Sequence, residues 1–556
     1  MTKPDILARL KQAGRLKPAD FARISQWLEE HPGGSEDALF ELSLFPETEL
    51  AYYLCETYDL PFVSLDRVEV PPRALKLLGM DRLEADSMVP LRLDSHALVL
   101  AVANPARLPD LTPLAEYFQC PIRLVVATRC EIRAVLGRLR ARSERSASAL
   151  EIPQTAAQTS DTDMMRLLGR VLLEASRGHA TRVHVNPGAE GLELRFRRDG
   201  LLEDRLIALA QADQVRLVDL VKRLAGLDVK DRRTPRSGRM RLPVGDREDK
   251  RDLTLHVACA PTLAGERVTL SVVEVPELVP SLEQLGFSGA PLARLRGLLQ
   301  SPAGGLLLVA GPSRSGRSTT LRAAVGQLPA DRLAVFSVED PVEQRLPGVN
   351  QMQVEGATAS VPGLIRAAVE QDADVVMVHA LADAESASQA LSTAFGGRFV
   401  LAGLTAMDAA SAIQALFALG ADPFLLGSSL RAVVAQRLVR RLCEACRRPV
   451  YRMPEEVVRL KDRLHLSGTT LFEPTGCGAC GYRGYCGRMA IHEVLTATPQ
   501  LALALQERIA AAELTRLLES TGHRTLLHDG FSKALEGRTT FHEVQRVVAT
   551  IAPGVV

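Results

Sequence analysis

The chain has 556 residues, which at ~100–200 residues per domain predicts roughly three to five domains. Hydrophobic residues are 46% of it, ample for buried cores, and 67 Lys+Arg against 66 Asp+Glu leave a net charge of +1, which argues against a protein built to coat nucleic acid. Aromatics at 4% disfavour a base-stacking platform, no apolar run reaches the ~18 residues of a membrane span, and MTKPDILARLKQAG is no signal peptide, so a soluble cytoplasmic protein is expected.

Residues 1–140 read as a helical start followed by a mixed α/β module. Ile6 and Leu10 share one helical face, and Phe21, Ile24 and Leu28 share another. A helix start near Thr48 puts Leu50, Tyr53 and Leu54 on one face, and ALVLAVANP (97–105) reads as a strand stopped by Asn-Pro. Residues 141–163, rich in Ser, Thr, Ala and Gln with no apolar period, predict a flexible linker. Residues 164–285 alternate helices with strand-patterned runs such as LELRFRR and DLTLHVA, an α+β domain. From 286 the apolar strands GLLLVAG, LAVFSVE, DVVMV and RFVLAGL are separated by helix-length segments, the rhythm of a parallel sheet covered on both faces. Residues 441–492 carry paired cysteines, and the remainder reads as helices punctuated by Gly522, Gly530 and Gly537.

GLLLVAGPSRSGRSTTLRAAV combines a strand, a Gly-rich turn and a helix start, the context in which Gly-x-x-x-x-Gly-Lys-Ser/Thr cradles phosphate. Gly311, Pro312, Ser313, Arg314, Ser315, Gly316, Arg317, Ser318 and Thr319 form the candidate loop, with Ser318 as the magnesium ligand. The lysine position holds Arg317. A guanidinium is larger, planar and forked where an ammonium is a compact charge. No lysine occurs between Arg251 and Leu460, so none in this core can stand in, and Arg314 and Arg317 are the loop's own cations. The alternative is a Gly-rich turn without a ligand, and the strand–turn–helix context counts against it.

Nine cysteines in so long a chain are no disulfide framework. Four lie in two Cys-x-x-Cys pairs, Cys443 with Cys446 and Cys477 with Cys480, which supply four thiolates for a closed structural zinc site. Four ordinary reduced thiols are the alternative, and Cys486 is a nearby competitor. Cys55, Cys120, Cys130 and Cys259 sit in apolar surroundings and read as buried thiols.

Beyond the loop come Val338-Glu339-Asp340-Pro341-Val342-Glu343, then Gln351-Met352-Gln353-Val354, Leu364-Ile365-Arg366-Ala367 and Gln371-Asp372-Ala373-Asp374. ATRVHVNP, LRFRRDGLL, DRRTPRSGRMRL and CAPTLAGERV precede the loop, and the cysteine pairs and TLLHDGFSKALEGRTTFHEVQRVV follow. This order closely resembles the GspE/PilB family, the hexameric ATPases of type II secretion and type IV pilus assembly, strongly over about 164–556 and more loosely over 1–140. The resemblance implies a RecA-like core over 286–556 with a zinc module at 441–492, ATP with Mg²⁺, and a homo- or hetero-hexamer at the inner-membrane platform. Peripheral membrane association would run through partners, with no nucleic acid. It makes Glu339 the candidate catalytic base and carries nucleotide contacts to Arg195, Arg197 and Arg239; a further family arginine matches His256.

The departures cluster in the chemistry. The family's Gly-Glu after the Walker B strand is His379-Ala380, its following Arg-Asp is Ala382-Asp383, and its Ser-Thr-Leu-His-Thr-Asn box is Ala402-Gly403-Leu404-Thr405-Ala406-Met407. Phosphoryl transfer rests on positioned positive charge, metal and an oriented water. Ala380 supplies no carboxylate and Thr405 no imidazole, so nucleotide binding with weak or absent hydrolysis is expected. The alternatives are a fully active secretion ATPase, a non-hydrolysing partner of an active paralogue, and a phosphate-loop protein of another kind, such as conjugative transfer. Some family N-terminal domains bind cyclic di-GMP, but Asp5, Leu7 and Pro46 interrupt the motif that Leu10 and Gly14 begin, so that ligand is not expected. His184 reads as a structural histidine. Arg437, Arg440, Arg441, Arg447 and Arg448 make a basic cluster, either a solvated rim or a face for an acidic partner or anionic lipid.

Overall fold

Short apolar segments can satisfy their backbone and shed water together only as strands buried on both faces, and the centre of the main sheet forms from them. The computed structural model describes residues 6–548 apart from 43, 66–69, 72–73, 76–77, 94–96, 109–110, 119, 148–159, 189–190, 208, 246–250, 274–278, 356–358 and 451–452. The seven-stranded sheet runs in the order Val349–Gln353, Val335–Glu339, Val375–Val378, Phe399–Leu404, Gly305–Ala310, Leu430–Leu442, Tyr485–Thr496. All neighbours are parallel except the last pair, which is antiparallel. Every residue of Gly305–Ala310, Val375–Val378 and Phe399–Leu404 is buried. Their side chains feed two cores, one on each face of the sheet.

The four strands expected from the apolar runs are all present. The two long strands Leu430–Leu442 and Tyr485–Thr496 had no such signature, because each mixes arginine or glutamate with its apolar residues. They extend the sheet past the cysteine-bearing segment, which is therefore an excursion between two neighbouring strands. The tail helices Pro499–Gln506, Ala511–Ser520, Leu526–Leu535 and Phe541–Val548 pack beyond them. Gly522 and Gly537 have positive φ at helix ends, but Gly530 lies inside Leu526–Leu535, where an added Cβ would meet Val544 Cγ1 at 2.6 Å. It marks a close helix–helix approach rather than a break.

Preceding this core, helix Asp161–Arg177 starts at Ser160, whose hydroxyl and the Asp163 carboxylate cap each other's backbone. A six-stranded antiparallel sheet follows, ordered Leu201–Ile207, Gly191–Arg198, Ala180–Gly188, Gly265–Val273, Arg251–Thr262, Arg236–Val244. Lys222 is fully buried beneath it, its ammonium 2.8 Å from Glu266 Oε1 and 2.8 Å from the Asp231 carbonyl, the pairing that a buried charge requires.

The N-terminal residues form helices Ile6–Gln12, Pro18–Glu30, Ser35–Glu41 and Glu47–Tyr58, then the strands Met88–Leu93, Leu98–Val102 and Ile122–Val126. Ile6, Leu10, Leu50 and Leu54 are buried as expected; of the second predicted face only Ile24 is, and Phe21 is 41% exposed. Strand Leu98–Val102 ends where the Asn104 side chain accepts from the Ala106 N–H. The flexible linker expected over 141–163 is entered by helix from both sides. Arg129–Ala147 runs through its first residues and Asp161–Arg177 begins before its end, while 148–159 lie outside the described residues.

The N-terminal helices meet the cysteine-bearing excursion directly. The Glu47 N–H donates to Glu473 Oε2 at 3.3 Å, and Glu47 Oε2 accepts from the Cys130 N–H at 2.7 Å. Tyr482 leaves no room for a Cβ on Gly137. Burial pushes the Glu473 carboxyl up to about 7, with Glu47 adding to it, and burial raises Glu47 as well. Arg129, Arg133 and Arg448 face the pair and offset part of that cost, and Glu41 and Cys130 complete its titratable surroundings. Because the docked pKa of Glu473 lies above its ordinary 4.5, the contact holds without penalty at low pH and weakens as pH rises through about 7. Hydrogen exchange over Glu47–Tyr58, corrected for intrinsic rates, is expected to be slower on the acid side of neutrality, and Glu473→Gln to flatten that dependence.

Candidate functional site

Strand Gly305–Ala310 delivers the chain to the loop, and helix Arg317–Val325 leaves it. Gly311 is required by contact: a Cβ there would lie 2.2 Å from Ser315 Oγ and 2.8 Å from the Gln436 carbonyl. Gly316 turns the chain at φ 91, and Arg314 holds φ 66, a left-handed conformation uncommon for a side chain of its size. Ser313 and Arg314 are exposed at the tip, while Ser315 is buried with its hydroxyl unpartnered. Gln436, buried on the neighbouring strand Leu430–Leu442, ties together the end of the turn and the helix that follows. Its Nε2 donates to the Ser315 carbonyl at 2.8 Å, and its Oε1 accepts from Thr320 Oγ1 at 2.8 Å. The backbone N–H groups and the positive end of the helix make this an anion cradle.

The side chains around the cradle are paired within the chain. Arg317 Nη1 donates to Thr405 Oγ1 at 2.8 Å, and burial holds its pKa below the usual arginine value. Ser318 Oγ lies 2.7 Å from His379 Nε2. The His379 backbone is fixed by its neighbours: its N–H donates to the Val338 carbonyl at 2.9 Å, and its own carbonyl would touch any Cβ at Gly403. Glu339 is buried, with Oε1 accepting from Ser337 Oγ at 2.8 Å and Gln351 Nε2 at 2.9 Å. Arg322 sits between Glu339, at 3.9 Å, and Glu343, to which it donates at 2.6 Å. Asp340 is exposed, Thr319 is half-buried beside Ser318, and Ala380 contributes no polar side chain.

Of the three arginines expected from the preceding domain, Arg195 lies 3.3 Å from Glu193, Arg197 donates to the Gly200 carbonyl at 2.8 Å, and Arg239 is opposite His256 in the sheet. Burial depresses the His256 pKa and Arg239 adds to it, while Glu343 pulls the other way. His184 is buried with Nδ1 3.1 Å from Thr269 Oγ1, but its Nε2 is buried without a hydrogen-bond partner, so only one edge of the ring is satisfied.

Cys443, Cys446, Cys477 and Cys480 bring all four sulfurs within 4.8 Å of one another. Three of the S···S separations are 3.9 Å. Sulfurs about 2.3 Å from one tetrahedral zinc lie roughly 3.8 Å apart, so the cluster has the size of a closed metal site. The Cys477 and Gly484 N–H groups donate to Cys480 Sγ at 3.3 and 3.2 Å, the orientation expected around a thiolate. Cys486 is exposed and outside this group. Cys120 and Cys259 are buried as expected, whereas Cys55 and Cys130 are half-buried.

The expected basic cluster divides between interior and surface. Arg437 is buried and donates to the Met407 carbonyl at 2.6 Å, and Arg440 pairs with buried Glu543 at 3.0 Å. Arg447, half-buried, donates to the Gly537 carbonyl at 2.6 Å. Those three fasten the last strands and tail to the sheet, whereas Arg441, paired with Glu444, and Arg448 are exposed at the rim. Sequence reasoning missed Gln436, Arg322 and the partner role of His379. The only signal was a polar residue within a strand or helix-start pattern, which does not say what it faces.

Residues 157–546 match the family described as "Type II/IV secretion system protein", and residues 58–146 match the "MshEN domain". The type IV pilus assembly ATPase PilB of Myxococcus xanthus is 30% identical over 532 residues, 91% of this chain and 92% of that protein. Type II secretion system protein E of Xanthomonas campestris pv. campestris is 31% identical over 560 residues, covering 98% of each. Among solved structures the Legionella pneumophila ATPase DotB, 16% identical, covers 72% of this chain and 98% of its own with a TM-score of 0.51, a likeness of fold. The RecA-like α/β core expected from the motifs is therefore the fold of this chain.

Gln436→Ala is expected to cost about 1–3 kcal/mol of stability, since it leaves the buried Ser315 carbonyl and Thr320 hydroxyl without partners. Denaturant unfolding checks the cost. Increased exchange of the loop amides, with the Cys443 module unaffected, checks the location.

Proposed function

The chain belongs to the type II/IV secretion system protein family, and from that premise we propose that it is a nucleotide-binding subunit of a secretion or pilus-assembly motor that hydrolyses ATP weakly or not at all. The observation that carries the second half is the internal pairing of the loop's two chemical side chains, Arg317 with Thr405 and Ser318 with His379. Support comes also from Glu339, whose carboxylate is already committed to Ser337 and Gln351 beside Arg322, an arrangement that suits a structural acid better than a base. In this reading the cradle Gly311–Thr319 takes the phosphates. Arg195, Arg197 and Arg239 serve the nucleotide when subunits assemble as a homo- or hetero-hexamer. The same pairing favours a role beside an active paralogue over a fully active enzyme.

We place the chain at the cytoplasmic side of an inner-membrane platform, reached through partner proteins. Among the described residues no helix is long and apolar enough to cross a membrane. Cyclic di-GMP is not part of this reading. We assign one structural zinc to Cys443, Cys446, Cys477 and Cys480. A closed four-thiolate site has no open position for catalysis, so its work is to hold the excursion between Leu430–Leu442 and Tyr485–Thr496 in shape.

Phosphate release by the purified chain, alone and mixed with an active relative, tests the central reading. Turnover is expected to be far below that of the relative, by ~10²–10³ or more for the loss of one transition-state contact. Turnover equal to the relative's, lost in Glu339→Gln, would refute it. Arg317→Lys is expected to tighten nucleotide binding and leave turnover low, whereas Arg317→Lys with Ala380→Glu and Thr405→His should gain more than additively. For the metal, elemental analysis should return one zinc per chain, and Cys443→Ser should loosen the excursion while the phosphate loop keeps its protection.

A further inference from the structure

A divalent cation beside a nucleotide needs hard oxygen ligands and space for its own waters. The resemblance offers Ser318 as the magnesium ligand, and the residues around it do not fit that ion. The Ser318 hydroxyl is 2.7 Å from His379 Nε2, so an imidazole edge stands inside the distance at which the ion's other ligands would sit. Imidazole nitrogen is a poor ligand for magnesium. The backbone of His379 is pinned by the Val338 carbonyl on one side and by Gly403 on the other, so the ring issues from a fixed point at the end of strand Val375–Val378.

Of the carboxylates near it, Asp340 is exposed at the surface while Glu339 and Glu343 are committed within the chain. Ala380 supplies none. Glu339 accepts two hydrogen bonds, and the guanidinium of Arg322 lies against both Glu339 and Glu343. A fixed protein cation thus occupies the acidic segment where a mobile one would otherwise be drawn. The loop carries its own positive charge in Arg314, exposed at its tip, and Arg317, which spends Nη1 on Thr405 and keeps its other N–H donors for a polyphosphate.

We propose that this site takes nucleoside di- or triphosphate as the metal-free anion, with Arg314 and Arg317 as counter-ions and His379 and Arg322 holding the positions a magnesium ion and its shell would need. The inference rests on the nucleotide-binding reading above and specifies the form in which the ligand enters. His379 and Arg322 act here as positioning residues, excluding an ion rather than reacting.

The test is calorimetric titration of the full chain with ATP in excess Mg²⁺ and again in excess EDTA. Affinity in EDTA equal to or tighter than in Mg²⁺ is the expected result. Binding only in Mg²⁺ would overturn the metal-free form and leave nucleotide binding standing, whereas no binding in either buffer would overturn both. His379→Gly is expected to acquire a preference for Mg²⁺ of roughly tenfold, the scale on which a neighbouring group changes a metal site. His379→Asn, which can still hydrogen-bond Ser318, should resemble the parent. If both folded variants remain indifferent to Mg²⁺, His379 is not the excluding group and the assignment fails. The EDTA comparison on the unmodified chain stands whether or not either variant folds.

Discussion

The amide of Gln436 connects the phosphate loop to the sheet. Strand Leu430–Leu442 is buried along most of its length, and at its middle Gln436 donates to the carbonyl before the last loop glycine and accepts from a hydroxyl on the helix that follows. An amide offers a donor and an acceptor a fixed distance apart, so it can satisfy two backbone-adjacent groups that no apolar residue could. The same strand supplies Arg437 to the Met407 carbonyl and Arg440 to Glu543, and it ends in the first cysteine knuckle. Loop, tail and cysteine cluster are thus held by one element whose pairing with Gly305–Ala310 and Tyr485–Thr496 sets their spacing.

Around that loop several polar groups are paired internally. Arg322 lies between Glu339 and Glu343, Arg317 turns to Thr405, and His379 meets Ser318. In a half-buried site such pairings matter more than they would in water, because a competing ion must displace them and leave a desolvated group behind.

The contact between the N-terminal helices and the cysteine excursion has a different character. Glu47 and Glu473 bring two acids together at a part-buried position, with Arg129, Arg133 and Arg448 near enough to moderate them. Tyr482 closing over Gly137 and Arg483 approaching Asp199 and Glu203 tie the excursion to both preceding regions. The four-cysteine cluster therefore sits at a junction that bears on three parts of the chain.

Much of this was legible in the sequence because the determining signals are local. Uncharged apolar runs are strands wherever a sheet can be covered on both faces, and two Cys-x-x-Cys pairs present sulfurs at the separation of a tetrahedral site, whereas the helix start that Ser160 and Asp163 cap was hidden inside a segment read as linker. The glycines of the phosphate loop announced a tight turn between strand and helix, and one is found there. What the tertiary structure alone decided is which polar side chains face each other across distant segments. Gln436 is over a hundred residues from Ser315, His379 some sixty from Ser318, and Gly530 meets Val544 across a helix crossing. No local period encodes such partners, because the energy of a buried hydrogen bond depends on where the sheet register brings its two ends, and register is fixed by the packing of the whole core.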